Sequence, residues 1–226
     1  MKTAFKAALL ALAFTAGVAG AQEPAASKPQ YSGFLNDYSK LQPAADREGV
    51  QLFLDRSRDY RSYTKVMFDP VEVYLTPNPD YKGLQPDALK RMTDTFQSAF
   101  KKALGSDYQV VDAPGPGVLR VRAAITGVQA TKPPLGATDF IPIKAIFNIG
   151  RAAAGASPQV AEMTAEMEVL DEKGARVAAA VATRKGDKTL PQRDTVTWKD
   201  LEPITNYWAI GFKQRLDEVR GVKPKP

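Results

Sequence analysis

Two hydrophobic periods run along this 226-residue chain, and each change from one to the other marks an element. From Tyr60 to Leu75 the period is that of a strand: Val66 and Phe68 alternate, then Val71, Val73 and Leu75 do so in a shifted phase. The slip falls at Asp69-Pro70, which predicts a bulge or an edge position, because proline has no N–H to give a ladder. "TPNPDYKG" follows as a turn-rich loop, and Pro86 then opens a helix. Leu89, Met92, Phe96, Ala99, Phe100, Ala103 and Leu104 form one apolar stripe of that helix, and Gly105 ends it. The stripe is read as core packing rather than as a face for a partner.

Strand period returns at Tyr108–Val111 and again at Val118–Val128, either side of a rigid "APGPG" turn. In the longer strand Leu119, Val121, Ala123 and Ile125 face one way, and Arg120, Arg122 and Thr126 the other. Residues 161–170 set Met163, Ala165, Met167 and Val169 against Glu162, Glu166 and Glu168. "DEKG" predicts a hairpin turn, with Val177–Thr183 returning as a strand of small residues. A second amphipathic helix is predicted from Asp200 to Val219, striped by Leu201, Ile204, Trp208, Phe212, Leu216 and Val219 and stopped by Gly221. Its tryptophan is expected to fill the core. This order implies an α+β fold, a two-layer sandwich in which a mostly antiparallel sheet of about five strands carries two long amphipathic helices on one face. "FIPIKAIFNIGRAAAGA", residues 140–156, keeps neither period. It is either a short buried helix, the favoured reading, or an exposed apolar loop that touches a partner or a membrane surface.

The N-terminal pattern is of another kind. Lys2 and Lys6 precede an apolar run from Ala7 to Ala16, and Ala19-Gly20-Ala21 then supplies small residues. Residues 1–21 therefore read as a removable secretory signal cleaved after Ala21. The run is shorter than the roughly 20 apolar residues of a transmembrane helix, and no transmembrane segment is expected elsewhere. Residues 22–58 are read as an N-terminal linker and apolar clasp segment, 59–221 as a single α+β domain, and 222–226 as a basic tail. Within "YSGFLNDYSKLQP" the residues Tyr31, Phe34, Leu35 and Tyr38 stand at i, i+3, i+4 and i+7, with Leu41 beyond them. That spacing predicts one face of a helix, which Gly33 and Pro43 limit to about two turns, too short to persist alone in water. The five residues must dock on the domain as a clasp or contact a partner.

Composition narrows the chemistry. The chain has neither histidine nor cysteine. Nucleophilic Ser-His or Cys-His sites, imidazole or thiolate zinc sites and disulfides are thereby excluded. Nucleotide fingerprints, nucleophile elbows and calcium loops do not occur either. The net charge of +6 is scattered, without a block of five like charges, so a nucleic-acid interface is not expected. Carboxylate chemistry is still open, since glycosidases need only two acids. Asp69, Asp112 and Asp139 lie near turns, although nothing in their spacing pairs them. Arg120, Arg122, Arg176, Arg184 and Lys185 could instead hold a polyanion. If the strands at 118–128 and 161–170 are neighbours, the arginines and glutamates share a face and pair across it; the carboxylate row is expected to be a solvated strand face rather than a metal site. The reading preferred over a carboxylate-only hydrolase or a polyanion binder is a non-catalytic module with no cofactor and an unknown envelope protein as partner.

"YSGFLNDYSKLQP", "YTKVMFDPVEVYL" and the hairpin "EMEVLDEKGARVAAAV" together resemble domain of unknown function 3313, over nearly the whole chain after residue 30. The resemblance implies an envelope location in a Gram-negative bacterium, an α+β domain and lipoprotein relatives, with no catalytic residue to carry over. Val18-Ala19-Gly20 suits the approach to a lipidated cysteine, but Ala21 stands where such relatives carry it. A soluble periplasmic protein without a lipid anchor is therefore expected.

Overall fold

The structure, a computed structural model, describes residues 31–74, 86–131, 158–190 and 196–222. The signal segment with Ala21, the linker at 22–30, the loop at 76–83, Asp139, the apolar stretch 140–156 and the tail beyond Val222 lie outside the described residues. The strands are β1 (Gln42–Pro43), β2 (Val50–Leu54), β3 (Lys65–Phe68), β4 (Glu72–Val73), β5 (Gln109–Val111), β6 (Val118–Thr131), β7 (Val160–Leu170) and β8 (Arg176–Thr189). The helices are α1 (Pro86–Leu104), between β4 and β5, and α2 (Trp198–Arg220), after β8.

The architecture is α+β, but the sheet is larger and more mixed than its pattern predicts. Among the described residues it has eight strands in the order β1-β2-β8-β7-β6-β3-β5, and β4 also pairs with β6. One half, from β6 to β1, is antiparallel. In the other, β3 and β4 run parallel to β6, and β5 runs parallel to β3. The chain reaches β5 from β4 through α1, a long crossover of the kind parallel neighbours require. The phase slip at Asp69-Pro70 is the gap between β3 and β4, where the ladder to β6 is interrupted and then resumes. β1 and β2 fall within the stretch read from sequence as linker and clasp, yet both are strands of the sheet. "VQLFL" is too short and too uniformly apolar for its period to identify it.

The two faces of the sheet differ. Ala123, Ile125, Met163 and Ala165 pack with Met92, Phe96 and Phe100 of α1 and with Leu201 and Ile204 of α2. A second cluster joins Tyr60, Val66, Leu104, Tyr108, Leu119, Val177 and Leu216. α2 starts with a reciprocal capping box, in which Thr197 N–H donates to Asp200 Oδ2 at 2.8 Å, and ends at Gly221 in the left-handed region at φ 70°. Trp208 does not fill the core as expected: it packs at the margin of the first cluster and is only half-buried. The alternation read in β6 and β7 holds, and on the second face Arg122 stands opposite Glu168 in register.

Two tyrosines tie the sheet to its surroundings. Tyr60 donates to the Asp55 and Val177 carbonyls at 2.9 and 3.0 Å, and Tyr108 donates to Asp217 Oδ1 at 2.6 Å. Burial pushes both hydroxyls up to about 12, helped at Tyr108 by the bond to Asp217. A folded-state pKa above the unfolded value favours the folded, protonated form. This contribution is intact below about pH 10 and is lost as pH rises towards 12. Thermal melts between pH 8 and 11.5 should show Tm falling from about pH 10, with a shallower fall for Tyr108→Phe. An equal alkaline fall in that variant would remove Tyr108 as a cause.

Candidate functional site

Residues 31–41 do not form the predicted helix. They fold as consecutive turns, with Gly33 at φ 92° and Asn36 at φ 58°, and Asn36 N–H donates to the Gly33 carbonyl at 3.2 Å. Glycine and asparagine are the residues that accept left-handed backbone most readily, and two such positions within four residues are incompatible with a right-handed helix. The helical spacing of the apolar residues is therefore coincidental. The side chains divide accordingly: Phe34, Leu35 and Leu41 are buried, Tyr38 is half-buried and Tyr31 is exposed.

The buried residues lie on the second face of the sheet, against Ala124, Ala179 and Val181, with Phe53 beside them. Alanine at 124 and 179 leaves the depth that Phe34 and Leu35 need. Around this apolar centre runs a charged network. Glu166 is fully buried, and among the described residues both donors to its carboxylate belong to the 31–41 segment. Ser32 N–H donates to Oε1 at 2.8 Å and Tyr38 O–H to Oε2 at 2.6 Å. Burial first, and then the bond to Glu166, raise the Tyr38 hydroxyl above the usual tyrosine range. The same oxygen accepts from the Gly33 and Leu35 amides at 2.8 and 3.3 Å. Tyr31 stacks on Tyr38 at 4.0 Å and donates to Gln51 Oε1 at 2.6 Å.

Glu168, also buried, is held between two arginines. Arg122 Nη1 donates to Oε1 at 2.5 Å, and Arg176 Nε donates to Oε2 at 2.8 Å. Arg176 also reaches out of the sheet, donating to the Asp37 carbonyl at 2.8 Å and to the Leu35 carbonyl. Arg122 lies over the Phe34 ring at 5.2 Å and extends to Glu72 at 3.5 Å. Arg120 makes a two-pronged pair with Asp69 at 2.8 and 2.7 Å. The face expected to be solvated is thus, at Glu166 and Glu168, a covered one. Water cannot hydrate these carboxylates, so hydrogen bonds and paired charge must replace it.

This arrangement disposes of the other candidate residues in a definite way. Asp69 is engaged by Arg120, Asp112 is exposed, and Asp139 is outside the described residues. Of the cations, Arg120, Arg122 and Arg176 are paired on the clasp face, Arg184 lies over the Tyr207 ring of α2 at 3.7 Å, and Lys185 is 3.8 Å from Glu162. They do not converge into one basic patch. Among the described residues no three acidic side chains come together as a metal site. The hydrogen bonds of Ser32, Asp37 and Gln51 were not legible in the sequence; the only local signal was Gly33 with Asn36, which marks turns.

The profile of a family described as "Protein of unknown function (DUF3313)" matches residues 30–212. An uncharacterized lipoprotein of Escherichia coli K12, YdcL, is 26% identical over 197 residues, 86% of this chain and 88% of that protein. Among solved structures, a PelC dodecamer from Paraburkholderia phytofirmans is similar with a TM-score of 0.41 at 12% identity, covering 77% of this chain and 98% of that one. A DUF4136 family protein from Bacteroides thetaiotaomicron has a TM-score of 0.37 at 9% identity, covering 77% and 97%.

Leu35 has no exposed surface, so Leu35→Ala should cost about 2–5 kcal/mol, the range for a buried leucine whose site collapses only in part. Urea unfolding of the two proteins checks this. A loss below about 0.5 kcal/mol, typical of a surface position, would mean that the segment is not docked in solution.

Proposed function

The chain belongs to the DUF3313 family, and on that premise we propose that it is an exported, non-catalytic accessory or binding module of the Gram-negative cell envelope. The observation that carries this reading is the seating of residues 31–41. Three apolar side chains and two peptide carbonyls of this segment are fastened to the sheet, along with the Ser32 amide. A segment held this firmly fixes the point at which the preceding chain leaves the domain. In a lipid-anchored relative it would set the reach from membrane to domain. In this chain, with Ala21 in place of an acylated cysteine, the same device serves a soluble periplasmic protein. The engagement of Asp69 by Arg120 and the absence of His and Cys favour a binding role over hydrolysis.

Two experiments test the proposal. Expressed with its own leader in a Gram-negative host, the protein should appear in the periplasmic fraction, and N-terminal sequencing should begin near Gln22. Deleting residues 31–41, which leaves β1 in place, should lower Tm and expose the domain to proteolysis. Cytoplasmic retention of an uncleaved chain would reject the export reading, and an unchanged Tm would reject the clasp.

A third experiment concerns the anchor. Ala21→Cys should convert the protein into a lipoprotein, detected as incorporated labelled fatty acid and a shift from the soluble to the membrane fraction. A soluble, unlabelled variant would show that the Val18-Ala19-Gly20 triplet is not read as a lipidation signal.

A further inference from the structure

Helix α2 does not close fully on the sheet. Where it crosses β8, the strand turns Ala178, Ala180 and Ala182 towards it, opposite Leu54, Leu52 and Val50 of β2. Alanine is too short to reach the helix, and a cavity of about 150 Å³ remains, walled by Leu52, Leu54, Met167, Trp208 and Phe212. Cavities of this size lined by apolar side chains take apolar ligands. The residues that line it extend from Tyr207 to Val219, about 18 Å along the helix at 1.5 Å per residue. Such an elongated slot suits a chain rather than a disc.

One side of the slot is cationic. Arg47, on the connection between β1 and β2, and Arg215 of α2 both line it. Arg47 lies across the helix at Gly211, where a Cβ would stand 2.4 Å from its Nη1, so any larger residue would displace the guanidinium. A single exposed carboxylate, Asp46, is shared between the two cations: Arg215 Nη2 donates to it at 2.7 Å, and Arg47 Nε lies 3.6 Å away. Arg215 also pairs with Glu218 at 2.6 Å. Both arginines are mostly buried, whereas Asp46, which is bound to them from outside the lining, is more than half exposed. On α2, Tyr207, which lines the slot, and the nearby Ile210 leave apolar surface in solvent, 42% and 54% exposed. An apolar slot with a few placed polar groups at its rim has the make-up of a small-molecule site.

We propose that this cleft binds a single acyl chain, with the anionic headgroup of the amphiphile taking the place of Asp46 between Arg47 and Arg215. The chain lies on the alanines of β8 and under Trp208 and Phe212. The headgroup, carboxylate or phosphate, accepts from the two guanidinium groups, which suit either anion.

Trp208 lines the cleft, and the other tryptophan is Trp198, so a Trp198→Phe background makes Trp208 emission the reporter. Octanoate, decanoate and dodecanoate, each below its micellar concentration, are titrated into the full mature chain. Saturable binding is expected, tightening about fourfold per methylene until the slot is full. Decyl phosphate in a parallel arm identifies the preferred headgroup, and decanol removes the charge. Decanol and the Arg47→Gln/Arg215→Gln double variant should each weaken binding at least about tenfold, the loss of one or two charge-assisted bonds. Ala180→Leu should abolish binding while leaving Tm unchanged or raised, because it fills the cavity; if that variant does not fold, Ala182→Val carries the same expectation. Absence of saturable binding, equal affinity for decanol and decanoate, or full binding by the folded alanine variant would each overturn the proposal.

Discussion

Two carboxylates buried on one face of a sheet set the terms for this structure. Glu166 and Glu168 lie on β7, where the hydrogen-bonding partners must come either from the same face or from whatever covers it. Glu168 is satisfied within the sheet, by Arg122 of β6 and Arg176 of β8. Glu166 is satisfied from outside, by the Ser32 amide and the Tyr38 hydroxyl. An unpaired buried carboxylate costs several kcal/mol, so the sheet and the 31–41 segment depend on one another. Once that segment is seated, Arg176 is placed to take its carbonyls and Arg122 to lie over Phe34.

The opposite face follows a simpler logic and reaches a different result. Towards β6 and β7 the helices meet Ile125, Met163 and other large side chains, and the layers interlock. Towards β8 they meet alanines, and the same helix that packs well at Ile204 leaves a cavity beside Trp208. β8 thus serves two faces with small residues. Ala179 gives depth to the clasp, and Ala178, Ala180 and Ala182 give width to the cleft. A strand of small residues is a weak contributor to a core, and here it makes room on both sides.

The family match spans both faces of the sheet. The matched region starts at residue 30, one position before the clasp, and runs to residue 212 within α2. The clasp face and the strands that floor the cleft therefore both fall inside it. The charged groups are used pairwise for holding parts together, and the apolar gap is a separate feature on the other side of the sheet.

The amino-acid sequence by itself determined the elements whose residues carry their own period or stop signal. α1 and α2, β6 and β7 were legible because each gathers its large apolar residues on one face, which writes a period into the chain, and the hairpin at Asp171–Gly174 because its residues are turn formers. The pairing of Arg122 with Glu168 was legible for the same reason, since alternation places both on one face once the strands adjoin. Tertiary structure decided what no local period records. β2 is recognisable only through its ladder with β8, and β3, β4 and β5 became parallel to their neighbours only through the path of the chain around α1. Tyr31–Leu41 kept a helix-like spacing but took left-handed turns, because fully buried Glu166 needed two donors and Leu35 needed a pocket that only the assembled sheet supplies. Periodicity acts over a few residues; the hydrogen bonds that seat these turns join positions more than 120 apart in the chain.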